Sequence, residues 1–147
     1  MTTVFNAQVR QELSKRIGSL APGAERKWGT MTVERMLAHV ADGLRSAVGE
    51  LEVKPKNTPL RYAPLRYLVL YWLPFPKGAP TAPELIARQP EPIESEIRAV
   101  QELLERFAQR EGQGQWPEHA AFGKMSEKDW GVLQYRHLDH HLKQFNA

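Results

Sequence analysis

The segment that follows residue 92 has the clearest helical periodicity in this sequence. Apolar residues recur there at alternating steps of four and three: Ile93, Ile97, Val100, Leu104 and Phe107. This spacing places all of them along one side of an α-helix, as in helices that pack lengthwise in a bundle. Pro92 suits the first turn of this helix, and Gly112 and Gly114 are expected to close it. The chain is therefore expected to fold around a core made of helices.

Three further segments have helical periodicity, and no segment alternates with the period of a β-strand. A first helix is predicted at about residues 6–20 and a second at about residues 32–48. Either Thr30 or Thr32 can cap the second helix, and the sequence does not choose between them. The last helix is predicted at about residues 126–145. These four helices predict an all-α protein.

A long connection, residues 54–91, joins the second predicted helix to the third. Eight of the eleven prolines lie in it: Pro55, Pro59, Pro64, Pro74, Pro76, Pro80, Pro83 and Pro90. Proline removes a backbone donor and clashes with the preceding turn, so this connection is not one helix. Its many aromatic and aliphatic residues also make it too apolar for a solvated linker. We predict a four-helix bundle whose long proline-rich crossover, between helices 2 and 3, contains a short helix near residues 60–73.

Size and composition place the chain among ordinary globular proteins. Its 147 residues are expected to form a single domain, residues 1–147, with 41% hydrophobic side chains. No stretch reaches the roughly 20 apolar residues that span a bilayer. The absence of cysteine excludes disulfides and a catalytic thiol. The start of the chain lacks a basic segment followed by an apolar one, so we expect a cytoplasmic protein without a membrane partner.

The last predicted helix carries three histidines, His137, His140 and His141. It begins with Ser126 and Asp129, which are spaced as in a capping box. Residues four apart lie on one side of a helix, so His137 and His141 aim two imidazoles at one point. Both lie near the middle of the apolar face, whereas His140 lies toward its edge. The pair therefore indicates either a metal site or core histidines that hydrogen-bond to each other or to backbone carbonyls.

A third ligand is expected from another helix. His39 lies at the margin of the apolar face of the second helix. His119, in the loop before the last helix, is the reserve candidate. Three imidazoles would leave a divalent transition metal such as Zn, Ni or Fe with open positions for water or substrate. His140 is then a fourth ligand, an orienting donor or a proton carrier, and Asp139 is an alternative carrier. A zincin-type peptidase is excluded because Leu138 replaces the required glutamate.

Two stretches resemble a known superfamily. WGTMTVERMLAH, residues 28–39, resembles the second-helix signature of the DinB/YfiT-like metal-binding bundles. The end of the chain, with HLDHHLKQF at residues 137–145, is similar to one uncharacterised subfamily, as are PFPKG at residues 74–78 and TAP at residues 81–83. The resemblance covers nearly the whole chain. One departure is Ala120, where this subfamily leads us to expect proline after His119.

The resemblance implies an up-down-down-up four-helix bundle and a triad of His39, His137 and His141. Characterised members of the superfamily include thiol-dependent transferases and isomerases, in which a bound divalent metal activates a low-molecular-weight thiol. The subfamily itself implies no particular activity. Three inward-facing histidines without a fourth ligand favour a metal-dependent enzyme, either a transferase, possibly thiol-dependent, or a hydrolase, with a small-molecule substrate and His140 assisting catalysis. Five aromatic residues are candidates either for substrate contact or for core packing: Trp28, Tyr62, Tyr67, Tyr71 and Trp72.

Two other classes of function stay open. One is a non-catalytic binding or dimerising module whose metal only stabilises the fold, and a homodimer fits that alternative. The other is nucleic-acid binding, which rests on the sequence pI of about 9.3, although the net charge is only +3, from 20 basic and 17 acidic side chains. Nucleic-acid-binding proteins usually concentrate their basic residues on one face and carry a recognisable reading element. Because neither feature is present in the sequence, we expect no nucleic-acid partner.

Overall fold

The computed structural model describes residues 1–147 and contains helices but no strand. Five α-helices follow one another along the chain: α1 Ala7–Gly18, α2 Val33–Ala47, α3 Leu65–Tyr71, α4 Ile93–Ala108 and α5 Glu127–Gln144. Two short 3₁₀ turns, Pro59–Arg61 and Pro83–Leu85, lie between α2 and α4. The all-α class predicted from the sequence is therefore confirmed. None of the helices combines the length and the apolar character needed to cross a bilayer.

The helix ends follow from local side-chain chemistry. The Thr32 hydroxyl accepts the amide of Arg35, which makes Thr32 the cap of α2. Ser126 and Asp129 form the predicted capping box at the start of α5. The end of α4 differs from the prediction, because the helix stops at Ala108. Gly112 and Gly114, both with positive φ, belong to the turns that follow the helix and not to its last turn.

The four longer helices surround one core. Helix α2 packs against α4 and α5, and α1 packs against the same two helices. The apolar seam predicted for α4 faces this core, with Val100 and Phe107 fully buried. Burial of a large apolar side chain such as Phe107 stabilises the fold by roughly 1.5–3 kcal/mol. In α2, ten of the fifteen residues are buried, including His39, so this helix runs through the interior of the molecule.

The crossover contains a shorter helix than predicted. The expected helix near residues 60–73 is replaced by the turn Pro59–Arg61 and the seven-residue α3. Proline at position 64 breaks the segment, since the residue before a proline avoids the helical region. Hydrogen bonds join the C-terminal end of α3 to α5. The Tyr71 hydroxyl donates to Asp129 at 2.5 Å, and Arg136 donates to the carbonyl oxygens of Val69 and Leu70, each at 2.6 Å.

Candidate metal centre

Three histidines from two helices meet in the interior. His39 comes from α2, and His137 and His141 come from consecutive turns of α5. Each histidine contributes one ring nitrogen, and these three nitrogens all lie within 4.8 Å of one another. The Nε2 atoms of His39 and His137 are 3.1 Å apart. The convergence expected from the sequence is therefore confirmed, and the cluster can hold a metal ion.

The burial of these side chains keeps them uncharged. His39 is 4% exposed and His141 is 9% exposed, so His39 lies inside the core and not at its margin. Burial, followed by the neighbouring His39, lowers the pKa of His141 to about 3. Burial also lowers the pKa of His39, and it lowers that of His137 far below the usual range. All three rings are neutral near pH 7, which is the form that binds metals.

Helix α2 passes close to the ring of His137 at Gly43, which lies one helical turn after His39. A Cβ atom at this position would lie 3.6 Å from the Cε1 atom of His137, which is ordinary van der Waals contact. An alanine would therefore also fit at this position, in contact with the imidazole.

Two hydrogen bonds fix which nitrogens face the centre. The Nδ1 of His39 donates to the carbonyl oxygen of Leu85 at 3.3 Å. The Nδ1 of His141 donates to the Oε1 of Gln144 at 2.8 Å, and the Nε2 of Gln144 in turn donates to the carbonyl oxygen of Trp28 at 2.9 Å. With the proton on Nδ1, His39 and His141 present Nε2 lone pairs to the centre. Metal-binding histidines are commonly held by such outer hydrogen bonds.

An ion network holds the segment that supplies the Leu85 carbonyl. The guanidinium of Arg88 donates to Glu96 at 2.5 Å and to Asp42 at 3.3 Å, which ties the crossover to α4 and α2. Arg35 adds hydrogen bonds to the backbone carbonyls of residues 86 and 88. The ion pair with Arg88 also lowers the pKa of Glu96 against the opposing effect of burial. The crossover is thus fixed beside His39.

The donor set suits a divalent transition metal. Nitrogen ligands lie about 2.0–2.1 Å from Zn²⁺, which puts two of them about 3.3 Å apart in a tetrahedral site. The 3.1 Å between His39 and His137 is close to this value, whereas a pair at the 4.8 Å limit of the cluster would have to move about 1.5 Å closer to share one ion. Imidazole suits Zn, Ni and Fe. No carboxylate belongs to the cluster, so open positions would remain for another ligand.

The remaining histidines lie outside the cluster. The ring centroid of His140 is 5.2 Å from that of His141 and 5.3 Å from that of Trp28, so His140 borders the centre. His119, the reserve ligand, has a different place. Its Nδ1 accepts the backbone amides of Ala121 and Phe122, in the loop before α5. The third histidine of the cluster is therefore His39 and not the reserve candidate His119.

Asp139 and the aromatic candidates have distinct surroundings. The carboxylate of Asp139 pairs with Arg16 at 2.9 Å and with Lys143 at 2.7 Å, so it is directed away from the cluster. Among the aromatic candidates, Trp28 lies beside His140. The other four lie on or next to α3. Tyr62 and Trp72 are mostly exposed there.

Sequence reasoning missed the residues that orient the imidazoles. Gln144 carried a usable signal, because it lies three positions after His141 and hence on the same side of α5. The Leu85 carbonyl carried none, since any residue supplies a backbone oxygen and its position depends on the crossover. The role of Arg88 likewise depends on contacts with α2 and α4. These partners became visible only with the fold.

Comparison with known proteins gives one match. No curated protein and no solved structure matches this chain. A family model matches residues 7–147, from the first residue of α1 to the end of the chain. This match includes all five helices and all three histidines of the cluster. The chain therefore belongs to the family described as protein of unknown function DUF1569.

Proposed function

We propose that this protein is a metal-dependent enzyme that acts on a small molecule at His39, His137 and His141. The observation that carries the proposal is a cluster of three neutral imidazoles without a fourth protein ligand. Catalytic zinc sites use three protein ligands and an open position, whereas structural zinc sites are usually closed by four. The outer hydrogen bonds from Leu85 and Gln144 support the same reading, because they prepare the rings for coordination.

We further propose that the fold is a four-helix bundle of the DinB/YfiT-like superfamily. Each of the four longer helices contacts two others, α2 and α1 each touching α4 and α5, which is the neighbour pattern of a bundle. The cluster takes one histidine from the second helix and two from the last, as the resemblance implies. This relationship favours transferase chemistry, possibly with a low-molecular-weight thiol, and leaves hydrolysis as the other candidate reaction.

The chemistry of this centre would be nucleophile activation. A divalent ion held by the three histidines would lower the pKa of a bound water or of a bound thiol, and the chain, which has no cysteine, provides no thiolate of its own. His140 is next to the ligand His141 and contacts Trp28 and Phe75. We assign it the role of carrying the proton that leaves the nucleophile. The three ligand imidazoles hold the ion and do not exchange protons with the substrate.

Metal content tests the proposal directly. Tag-free protein is expected to carry about one equivalent of a divalent transition metal by mass spectrometry. The variant His137→Ala should lose it, and the variant His119→Asn should keep it because His119 lies outside the cluster. Less than about 0.2 equivalent in the wild type, unchanged in His137→Ala, would overturn the proposal.

Cobalt substitution separates an enzyme from a metal-stabilised module. A cobalt(II) spectrum that changes when a thiol or another small ligand is added indicates an open coordination position, as a catalytic site requires. A spectrum that stays unchanged with every ligand, together with a large loss of thermal stability on metal removal, would favour the module. Together with an enzyme function, we propose a small-molecule substrate and a cytoplasmic location. We propose neither nucleic acid nor a membrane as a partner.

One observation favours the dimerising module as a second candidate. Six of the eight exposed large apolar side chains of the protein lie on or next to α3: Tyr62, Leu65, Tyr67, Leu68, Trp72 and Leu73. Leu65, Leu68 and Trp72 share one side of the helix by their spacing. A concentration of exposed apolar side chains on one helix is typical of protein interfaces. Light scattering with size-exclusion chromatography tests a dimer, which Trp72→Ser should dissociate and Ile86→Ser should leave intact.

A further inference from the structure

A cation and two aromatic rings lie beside the histidine cluster. The ring of His140 contacts the rings of Trp28 and Phe75, at centroid distances of 5.3 and 6.1 Å. The ammonium of Lys77 lies over the Trp28 ring, 4.6 Å from its centroid. Lys77, Trp28, His140 and His141 thus form a row of consecutive contacts, each between 4.6 and 5.3 Å. We call Lys77, Trp28, Phe75 and His140 the lateral subsite.

Charge at this place is not balanced by acidic residues. Three neutral imidazoles contribute no negative charge, so a divalent ion among them would keep its double positive charge. Asp139, the acidic residue beside His140, is already paired with Arg16 and Lys143. Lys77 takes part in none of the ion pairs of the protein. The segment that carries it, residues 53–83, contains no aspartate or glutamate, and the next acidic residue is Glu84, beside the Leu85 that contacts His39. The outer end of the row, at Lys77, therefore carries an unpaired positive charge that attracts anions.

The shape of the lateral subsite restricts the anion further. Trp28, Phe75 and His140 are half-buried, whereas Lys77 is exposed at the outer end of the row. A ligand that reaches from the histidine cluster to Lys77 would pass the rings of His140, Trp28 and Phe75, and the guanidinium of Arg136 lies over the Phe75 ring, 4.5 Å from its centroid. The ring faces favour an apolar or planar middle portion, and the ammonium favours a negative end.

We propose that the lateral subsite binds the anionic end, a carboxylate or a phosphate, of the small molecule whose other end occupies the histidine cluster. This inference rests on the proposed function and specifies its ligand class. Lys77 binds the anion through its ammonium, and Trp28 and Phe75 flank the apolar portion. His140 lies between the two ends, within reach of the part of the ligand closest to the cluster. Lys77 is thus a specificity-determining residue and takes no part in metal binding.

Thiol probes of matched length test the inference on cobalt(II)-loaded protein. The series comprises ω-mercaptoalkanoates of increasing chain length, the corresponding ω-mercaptoalcohols, and ω-mercaptoalkyl phosphates. Binding is measured from the thiolate-to-cobalt absorption band. At the best chain length, we expect an anionic thiol to bind about 5–10-fold more tightly than the alcohol, as expected for one partly exposed charge pair. The carboxylate and phosphate arms then identify which anion the subsite prefers.

The variant Lys77→Met removes the charge and keeps a side chain that can lie on Trp28. In this variant the anionic thiol should bind less than about 2-fold more tightly than the mercaptoalcohol. Cobalt uptake and the affinity for the alcohol should stay unchanged. The matched control is Lys15→Met, since Lys15 is an exposed lysine on α1, and it should keep the full preference. A preference that survives Lys77→Met, or equal binding of anionic and neutral thiols by the wild type, would overturn the inference.

A separate measurement distinguishes failure of the inference from failure of the proposed function. If no thiol changes the cobalt spectrum, the thiol chemistry fails, and simple alkanoates are titrated against the same protein by NMR. Binding that shifts the Trp28 and His140 resonances and is lost in Lys77→Met would still support the lateral subsite. If the protein takes up no metal, the proposed function fails, and the same titration on metal-free protein decides the subsite. Absence of binding that depends on Lys77 overturns it in either case.

Discussion

Gln144 is the single residue on which the orientation of His141 depends most directly. Its Oε1 accepts the Nδ1 proton of His141 at 2.8 Å, and its own Nε2 donates to the Trp28 carbonyl. The variant Gln144→Leu removes the acceptor while keeping a side chain of similar size. We expect its zinc affinity to fall 10–100-fold, the usual effect of losing such an outer hydrogen bond. Competition with a chromophoric chelator measures the affinity.

Two further variants show whether the effect is specific. Gln144→Glu keeps an acceptor for His141 and should retain most of the affinity. Gln101→Leu removes another partly buried glutamine, one that donates to the Ser14 carbonyl away from the cluster, and should leave the affinity unchanged. Wild-type affinity in Gln144→Leu would show that this hydrogen bond does not prepare His141 for metal.

His119 makes the stability of the protein depend on pH. Burial, and after it the nearby Arg61, lowers the pKa of His119 from its ordinary 6.5 to about 4. Between pH 6.5 and pH 4 the unfolded chain binds more protons at this residue than the folded one, so the free energy of unfolding decreases as the pH falls. The contribution of His119 is present above pH 6.5. About 3 kcal/mol of it should be lost by pH 4.

The variant His119→Asn tests this dependence. An asparagine Oδ1 can accept the amides of Ala121 and Phe122 as Nδ1 does, and it does not titrate in this range. Urea unfolding of both proteins at pH 7 and pH 4.5, with chelator present, gives the comparison. The wild type should lose more stability between the two pH values than the variant. Equal losses would mean that His119 is not the titrating group.

At the scale of elements, Arg88 is the residue that joins the crossover to α2 and α4. Its guanidinium pairs with Asp42 and with Glu96, which is only 2% exposed. The variant Arg88→Met leaves the Glu96 carboxylate buried without its partner. We expect the free energy of unfolding to fall by about 3 kcal/mol. Zinc affinity should also fall, because the same segment carries the carbonyl that orients His39.

The double variant Arg88→Met with Glu96→Gln separates the charge from the packing. Neutralising Glu96 removes the uncompensated buried charge, so part of the lost stability should return. The matched control is Arg98→Met, since Arg98 is exposed on α4, and its effect should stay within about 0.5 kcal/mol. If Arg88→Met is as stable as this control, the network does not hold the crossover.

At the scale of the whole molecule, a bound metal would join the two helices that supply its ligands. His39 and His137 are 98 residues apart in the chain, and their rings meet only in the folded state. A metal that binds only the folded state stabilises it by about 2.7 kcal/mol when the free metal is 100 times its Kd. We expect zinc to raise the Tm of the wild type in a concentration-dependent way, which calorimetry measures.

The location of the stabilisation is also testable. Hydrogen exchange should slow more in α2 and α5 than in α1, because α2 and α5 carry the three histidines. His39→Ala should abolish the rise in Tm, and His119→Asn should keep it. An equal rise in His39→Ala would place the metal elsewhere on the protein.

Sequence patterns found the elements with local causes. The seam of α4 and the capping box at Ser126 both depend on residues within a few positions of one another. The same holds for His137 and His141, whose side-by-side placement follows from one turn of helix. For the cap of α2 the sequence left two candidates, Thr30 and Thr32, and the structure has Thr32. The crossover was harder to predict, because a short helix after Pro64 is fixed by its hydrogen bonds to α5.

By itself, then, the sequence determined an all-helical chain with a histidine pair on the inner side of its last helix, since helical periodicity is local. Only the tertiary structure decided that His39 and not His119 joins this pair. The packing of α2 against α5 buries His39, whereas the backbone amides after His119 occupy that ring. The neutral state of the rings was also decided by folding, because burial lowers their pKa. Contacts between distant residues fix these properties, and no local pattern encodes them.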